Sequence, residues 1–432
     1  MRFLFFLAAA CAAQPPAANL LVKPYLQLGE KPGGLAVVWH TRVAAASWTF
    51  EYKAGQVWKA SPAMLDHKIP KRNYFVYSAS LSGVAPGAPF DYRLRSGDET
   101  LFAATAQAPP LASKPFRFLF VGDGGDGGPA ARRIAYQAAL THRESPFSLA
   151  VLGGDLAYTC GGINDYLENF YPLYNADAEG AASGGSLMRS MTFAGAIGNH
   201  DAAMVPVLCM RAPDLAYFYF WKQPANGPAA VAMNPKKAKR KPGGAFPESA
   251  AVGYPSRANF SFDWGAAHFT VLDSNEYVDW TAPAMQAWVE ADLKSAAKAA
   301  WRIVVFHHAP FQSSGRHQGD QWMRVLSPIF ERHGVRVVLT GHVHNYQRSR
   351  PITFAAVEGS CKADATKGIV YVVSGGGGHD LVRDHGAGDE CTANAAFQAG
   401  ESFTAVEVSP SALVFEQIDG EGKRVDQWRI GK

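Results

Sequence analysis

The chain lacks the features of a membrane-spanning or nucleic-acid-binding protein. Beyond its N-terminus no uninterrupted apolar run approaches the roughly 18 residues of a membrane-spanning helix, although 48% of its 432 residues are hydrophobic. That excludes a later transmembrane segment and leaves enough apolar sequence for a sizeable core. Charge is sparse too: 18% of residues are charged, and the formal net charge is +4. A surplus this small does not argue for nucleic acid, and no specific nucleic-acid partner is expected. Most of it sits in NPKKAKRKPGG, Asn234 to Gly244. There Lys236 to Lys241 are flanked by Pro and Gly and read as a solvated loop. Polyanion binding through that run would show as steep salt dependence. Cysteine is scarce, five residues with no CxxC, which argues against a zinc knuckle or a redox dithiol.

The N-terminus, MRFLFFLAAACAAQPPAA, has an early Arg, a short apolar stretch and small residues after it. Residues 1–18 therefore read as an export signal, too short to span a bilayer as a mature helix. Cleavage near Ala12 would release a free protein. The run AAAC also resembles a bacterial lipobox, in which Cys11 would carry lipid. The expected location is secreted or periplasmic, free or lipid-anchored. In such an oxidising compartment the remaining Cys160, Cys209, Cys361 and Cys391 suggest two disulfides. Of the three pairings, Cys361 with Cys391 and Cys160 with Cys209 minimises loop length. NFS at Asn259 matches a glycosylation acceptor, relevant only in a eukaryotic host.

Two textures divide the chain. From 19 to 108, short strand-like segments such as LAVVWHT, WTFEYKA and FDYRLRSG recur between turn signals, which predicts a β-sandwich. The stretch LSGVAPGAPFDYRL resembles the strand, turn and Tyr corner of fibronectin type III domains. AQAPPLASKP reads as a linker. From 115 to 432, buried-strand patterns such as FRFLFV, SLAVL and WRIVVF alternate with helical stretches, which predicts an α/β domain. The region from Ala202 to about Arg257 is rich in Gly, Pro and Ala and reads as long surface loops.

Five of the strand patterns in the second region end in residues able to bind metal: VGDGG (Asp123), GGDLAY (Asp155, Tyr158), IGNHD (Asn199, His200, Asp201), VVFHHAP (His307, His308) and TGHVH (His342, His344). Ligands bind beyond the carboxyl ends of strands in open α/β sheets. Taken singly, each is an ordinary turn, helix cap or surface histidine. Taken together, a shared metal centre explains all five, because Asp, Asn and His are natural O and N donors for first-row ions. His342 and His344, two apart on an extended segment, face the same way.

The ordered blocks GDxG, GDxxY, GNH, VxxH and GHxH resemble the signature of the purple acid phosphatases, within the calcineurin-like metallophosphoesterases. The resemblance covers roughly residues 115 to 432 and implies an α/β metallophosphoesterase sandwich with mixed β-sheets. It implies Fe(III) held by Asp123, Asp155, Tyr158 and His344. A second divalent ion, Fe, Zn or Mn, would be held by the bridging Asp155 with Asn199, His307 and His342. The implied activity is an acid phosphatase in which the two-metal centre activates water against a small phosphomonoester. Asn199 and His200 would contact substrate, and His200 would act catalytically. His317 is expected at the mouth as a proton donor or as a solvated loop histidine. His308 is expected to point away from the centre, and Asp273 to be structural. His379, in SGGGGHD, is expected at the rim or in a tight connection without chemistry. The alternatives are a phosphodiesterase with the same centre, or a non-catalytic surface binding protein.

Overall fold

A computed structural model describes residues 19–44, 48–204, 209, 214–234, 254–255, 257–364, 368–386 and 390–432. The expected export signal with Cys11, and Lys236 to Lys241, lie outside the described residues.

The FRFLFV segment forms a strand, Phe116–Val121. Its side chains alternate between faces. Phe116, Phe118 and Phe120 enter one apolar core, and Leu119 and Val121 another. Burial on both faces is what a central parallel strand requires. Leu149–Leu152 and Thr192–Gly195 join it in parallel, with Leu149 opposite both Phe118 and Thr192. Ser402–Val408 closes the other side antiparallel. A second sheet sets Ala267–Val271, Trp301–His308, Val337–Gly341 and Val370–Ser374 in parallel, with antiparallel strands at both margins. The sheets pack face to face, Phe118 meeting Phe269 edge-on at 5.3 Å. The helix Pro129–Glu144 buries Ala131, Ile134, Ala135, Ala138 and Ala139, one stripe at helical spacing. Pro283–Ser295 likewise buries Met285, Val289 and Leu293. This is the expected sandwich with mixed sheets.

The N-terminal region folds as two facing sheets. One contains Leu20–Leu28, Leu35–Thr41, Met64–Lys68 and Phe75–Leu81; the other contains Trp48–Ala54, Val57–Pro62, Pro89–Ser96 and Glu99–Gln107. Trp39 stacks between Phe50 at 6.2 Å and Tyr77 at 5.8 Å. Leu20–Leu28 also pairs in parallel with Thr192–Gly195, Gln27 opposite Phe193. Ten strands thereby run as one sheet from the N-terminal region into the α/β region.

One expectation fails. Within the stretch read as surface loop, Ala216–Phe220 is a short helix with every residue buried, followed by buried Trp221. Its aromatic run was diluted by the Gly, Pro and Ala around it. The backbone carbonyl of Phe220 accepts from Gln27 Nε2 at 3.0 Å, fastening this helix to the first strand. The disulfides are Cys160–Cys209 and Cys361–Cys391, the pairing with the shortest loops. Asn259 is fully buried, and its Oδ1 accepts from the Asp273 backbone N–H at 2.8 Å. It is therefore no glycosylation site in the folded chain.

Candidate metal centre

The five strand ends meet. Asp123 and Asp155 follow strands of the first sheet, and Asn199 follows a third. His307 ends a strand of the second sheet, and His342 and His344 follow its neighbour. Close approach requires glycine at two points. A Cβ on Gly154, at φ +90°, would lie 2.5 Å from His307 Nδ1, and one on Gly198 would overlap Asp155. Asp123, Asp155 and His342 themselves sit at φ 60°, 52° and 68°. Left-handed backbone at non-glycine residues is strained and clusters at functional sites.

The donor atoms fall into two sets. Tyr158 Oη lies 3.2 Å from Asp155 Oδ2, 3.3 Å from Asp123 Oδ1 and 3.4 Å from His344 Nε2. His307 Nε2 lies 3.0 Å from Asn199 Oδ1 and 3.2 Å from Asp155 Oδ2. His342 Nδ1 lies 3.1 Å from Asn199 Oδ1 and 3.2 Å from His307 Nε2. Asp155 Oδ2 belongs to both sets.

Each histidine is held by its other nitrogen. His307 Nδ1 donates to the Gly153 carbonyl at 2.8 Å, and His344 Nδ1 to the Asp380 carbonyl at 3.1 Å. His342 Nε2 meets Asp320 Oδ2 at 3.0 Å. Because a carbonyl only accepts, the neutral ring turns its remaining lone pair inward, which is how metal-ligating histidines are oriented. The inward set is then lone pairs of N and O facing one another about 3 Å apart, the separation of ligands around an ion with bonds of about 2.1 Å. These residues fit a pair of cations.

The electrostatics agree. Burial, and then the charges of Asp155 and Asp123, push the Tyr158 phenol well above its ordinary range. A phenolate at this position requires a strongly charged cation beside it. Burial opposes a charge on His307, yet Asp155 and Asp123 win and raise it to about 9. A cation entering here displaces that proton.

The remaining sequence candidates have distinct places. His200 Nδ1 donates to the Thr159 carbonyl at 2.6 Å, its ring is 4.2 Å from that of Tyr158, and its Nε2 is 3.9 Å from Asp155 Oδ2. His317 lies at the opposite end, its ring 4.6 Å from that of His342 and its Nε2 buried without a hydrogen-bond partner among the described residues. His308 Nδ1 pairs with Ser274 Oγ at 2.9 Å, outside the donor sets. Asp273 is structural, accepting from the Tyr277 hydroxyl and the Asn275 backbone N–H. Asp201 is structural too, accepting from the backbone N–H groups of Leu156, Ala157 and Gly198 and tying together the loops that carry Asp155 and Asn199. His379 covers the outer face of Tyr158, stacked at 3.9 Å. Asp320 escaped the sequence reading; its signal was its place three residues after His317.

The sandwich with its cluster of O and N donors defines a metal-dependent phosphoesterase fold. The chain belongs to the calcineurin-like phosphoesterase family, whose sequence model matches residues 116–346. Its relatives include purple acid phosphatase 18 of Arabidopsis thaliana, 26% identical over 62% of this chain and 51% of that protein. They also include a nucleotide pyrophosphatase/phosphodiesterase of Hordeum vulgare, 32% identical over 30% of this chain and 39% of that one. The chain thus spans about half or less of the length of these relatives. Its fold is shared with a purple acid phosphatase from yellow lupin seeds, with a TM-score of 0.71 at 17% identity, covering 94% of this chain and 74% of that one. The purple acid phosphatase resemblance read from the sequence blocks is therefore supported by relatives and fold alike.

Proposed function

We propose that the chain is an exported hydrolase of phosphomonoesters of the purple acid phosphatase type. Asp123, Asp155, Tyr158 and His344 hold Fe(III), and Asp155, Asn199, His307 and His342 hold divalent Fe, Zn or Mn. One observation carries this reading: Asp155 Oδ2 stands 3.2 Å from both Tyr158 Oη and His307 Nε2, where a bridging oxygen belongs. The phenol in one set and the all-neutral N and O donors around the shared carboxylate in the other favour a trivalent and a divalent ion respectively.

When bound, such a pair supplies positive charge for the phosphate and a water that ionises near or below neutral pH. The chain's own residues do the rest. His200 and His317 flank the donor sets from opposite ends, beside Tyr158 and His342 respectively. His200, anchored through Nδ1, offers Nε2 to a phosphate oxygen, and Asn199 borders the same space. His317, with Nδ1–H on Asp320 at 3.1 Å, is the candidate donor to the departing alkoxide, which its buried Nε2 reaches only when the ring turns toward the donor sets.

The two disulfides support export, since such bonds persist in oxidising compartments. The N-terminal sandwich is read as a fibronectin type III-like positioning module. A diesterase reading draws support from the barley relative. Turnover of p-nitrophenyl phosphate against bis(p-nitrophenyl) phosphate by the metal-loaded protein separates them. The proposal expects kcat/KM at least about tenfold higher for the monoester. The reverse preference makes the chain a diesterase, and no turnover at full metal loading makes it a binding protein.

A further inference from the structure

Asp320 ends the Gly315–Asp320 turn that follows the strand of His307. One of its oxygens, Oδ2, is 3.0 Å from His342 Nε2 and 3.1 Å from His317 Nδ1. The two rings stand 4.6 Å apart at 70°, so both N–H vectors converge on that oxygen. On the far side of His342, Nδ1 faces Asn199 Oδ1 and His307 Nε2. On the far side of His317, Nε2 is buried and has no hydrogen-bond partner among the described residues. A carboxylate accepts and does not donate, so it fixes which nitrogen of each ring carries hydrogen. His307 and His344 receive the same service from backbone carbonyls, and His342 alone of the three relies on a side chain.

We propose that Asp320 is a positioning residue that joins two functions: its single oxygen aims His342 at the second cation and holds His317 beside it. The inference rests on the two-metal reading above. Removing the carboxylate frees His342 to rotate or change tautomer, and frees His317 with it. Outer partners of metal-ligating histidines typically govern affinity by about 10- to 100-fold. The loss should therefore fall on the second cation and spare the first, whose ligands Asp320 does not touch.

The test uses full-length, metal-loaded protein as wild type, Asp320→Ala, Asp320→Asn and His317→Ala. Each is dialysed against graded dipicolinate, and the metal retained per chain is measured by elemental analysis. Near-UV circular dichroism reports the fold. We expect Asp320→Ala to release the second equivalent at about 10- to 100-fold lower chelator while keeping the first. Asp320→Asn, isosteric and chosen in case the alanine variant misfolds, should move the same way by less. His317→Ala, which leaves Asp320 on His342, should retain the second equivalent as wild type does. Wild-type retention in both Asp320 variants overturns this inference and leaves the two-metal reading standing. Fewer than two equivalents in wild type overturns that reading, and this one with it. A third equivalent that disappears with Asp320 also overturns it, because His317, Asp320 and His342 would then be a cation site of their own.

Discussion

Among single residues, groups proposed to do chemistry differ in their expected behaviour from groups that hold them in place. His317→Asn should lower kcat for alkyl phosphates by about 100-fold or more, the usual worth of a general acid. For p-nitrophenyl phosphate, whose leaving group needs no proton, the loss should be much smaller. Steady-state kinetics on the two substrates check this; an equal loss on both contradicts the proton-donor role. Asp201 makes the opposite case. It is fully buried and receives three backbone N–H groups, so Asp201→Ala orphans them at about 1–3 kcal/mol for each unsatisfied group. Denaturant unfolding should show a large fall in midpoint even in metal-free protein. An unchanged midpoint would mean that water replaces the carboxylate without loss. The converging N and O donors were legible in the sequence because each follows a buried-strand pattern, where chemistry on α/β sheets is expected. Asp320 was not legible, because its meaning depends on His342, 22 residues later in the chain.

At the scale of elements, the helix Pro283–Ser295 is pinned to its sheet by polar contacts as well as by Met285, Val289 and Leu293. His268 Nε2 lies 3.2 Å from Asp292 Oδ2 on that helix, and Nδ1 lies 2.7 Å from Asp263 Oδ1 on the neighbouring strand. Burial opposes the charge on His268, but the two carboxylates outweigh it and raise the histidine to about 9 from 6.5. The folded state thus binds this proton more tightly than the unfolded state. The resulting stability is complete below pH about 6.5 and is lost as pH rises through about 9. It should amount to about 1–2 kcal/mol, discounted because Asp263 is 79% exposed. Urea unfolding of wild type and His268→Gln should therefore show a gap at pH 6 that closes by pH 10. A gap of constant size would contradict the ion-pair origin. The strands here were readable from period-two and continuous apolar runs. The short aromatic helix Ala216–Phe220 was not, because a buried five-residue segment carries no helical period of its own.

At the scale of the whole molecule, the composition shift near residue 108 suggested two modules, yet the hydrogen bonding and packing between them are extensive. The first strand extends the sheet that carries Asp123 and Asp155. One apolar cluster contains Trp39 and Phe50 together with Phe118 and Phe269. His40 is buried between Tyr25 at 2.9 Å and Tyr74 at 2.7 Å, and Tyr25 in turn meets Tyr171 of the α/β region at 3.0 Å. Deleting residues 19–108 would expose the edge of Thr192–Gly195 and the remaining part of that apolar cluster, a template for aggregation. The truncated protein should be insoluble when expressed; a soluble product with a cooperative melt would show that the α/β region folds alone. Pairing between strands so distant in sequence leaves no local mark, which is why residue patterns suggested a boundary and gave no sign of the shared sheet.

Whether Tyr158 serves as an anionic ligand to Fe(III) is decided by a visible absorption spectrum of the purified, iron-loaded protein. A purple charge-transfer band is expected in the wild type and is expected to vanish in Tyr158→Phe, while the iron remains measurable by elemental analysis. A colourless wild-type protein, with its bound iron confirmed as oxidised, would contradict that role.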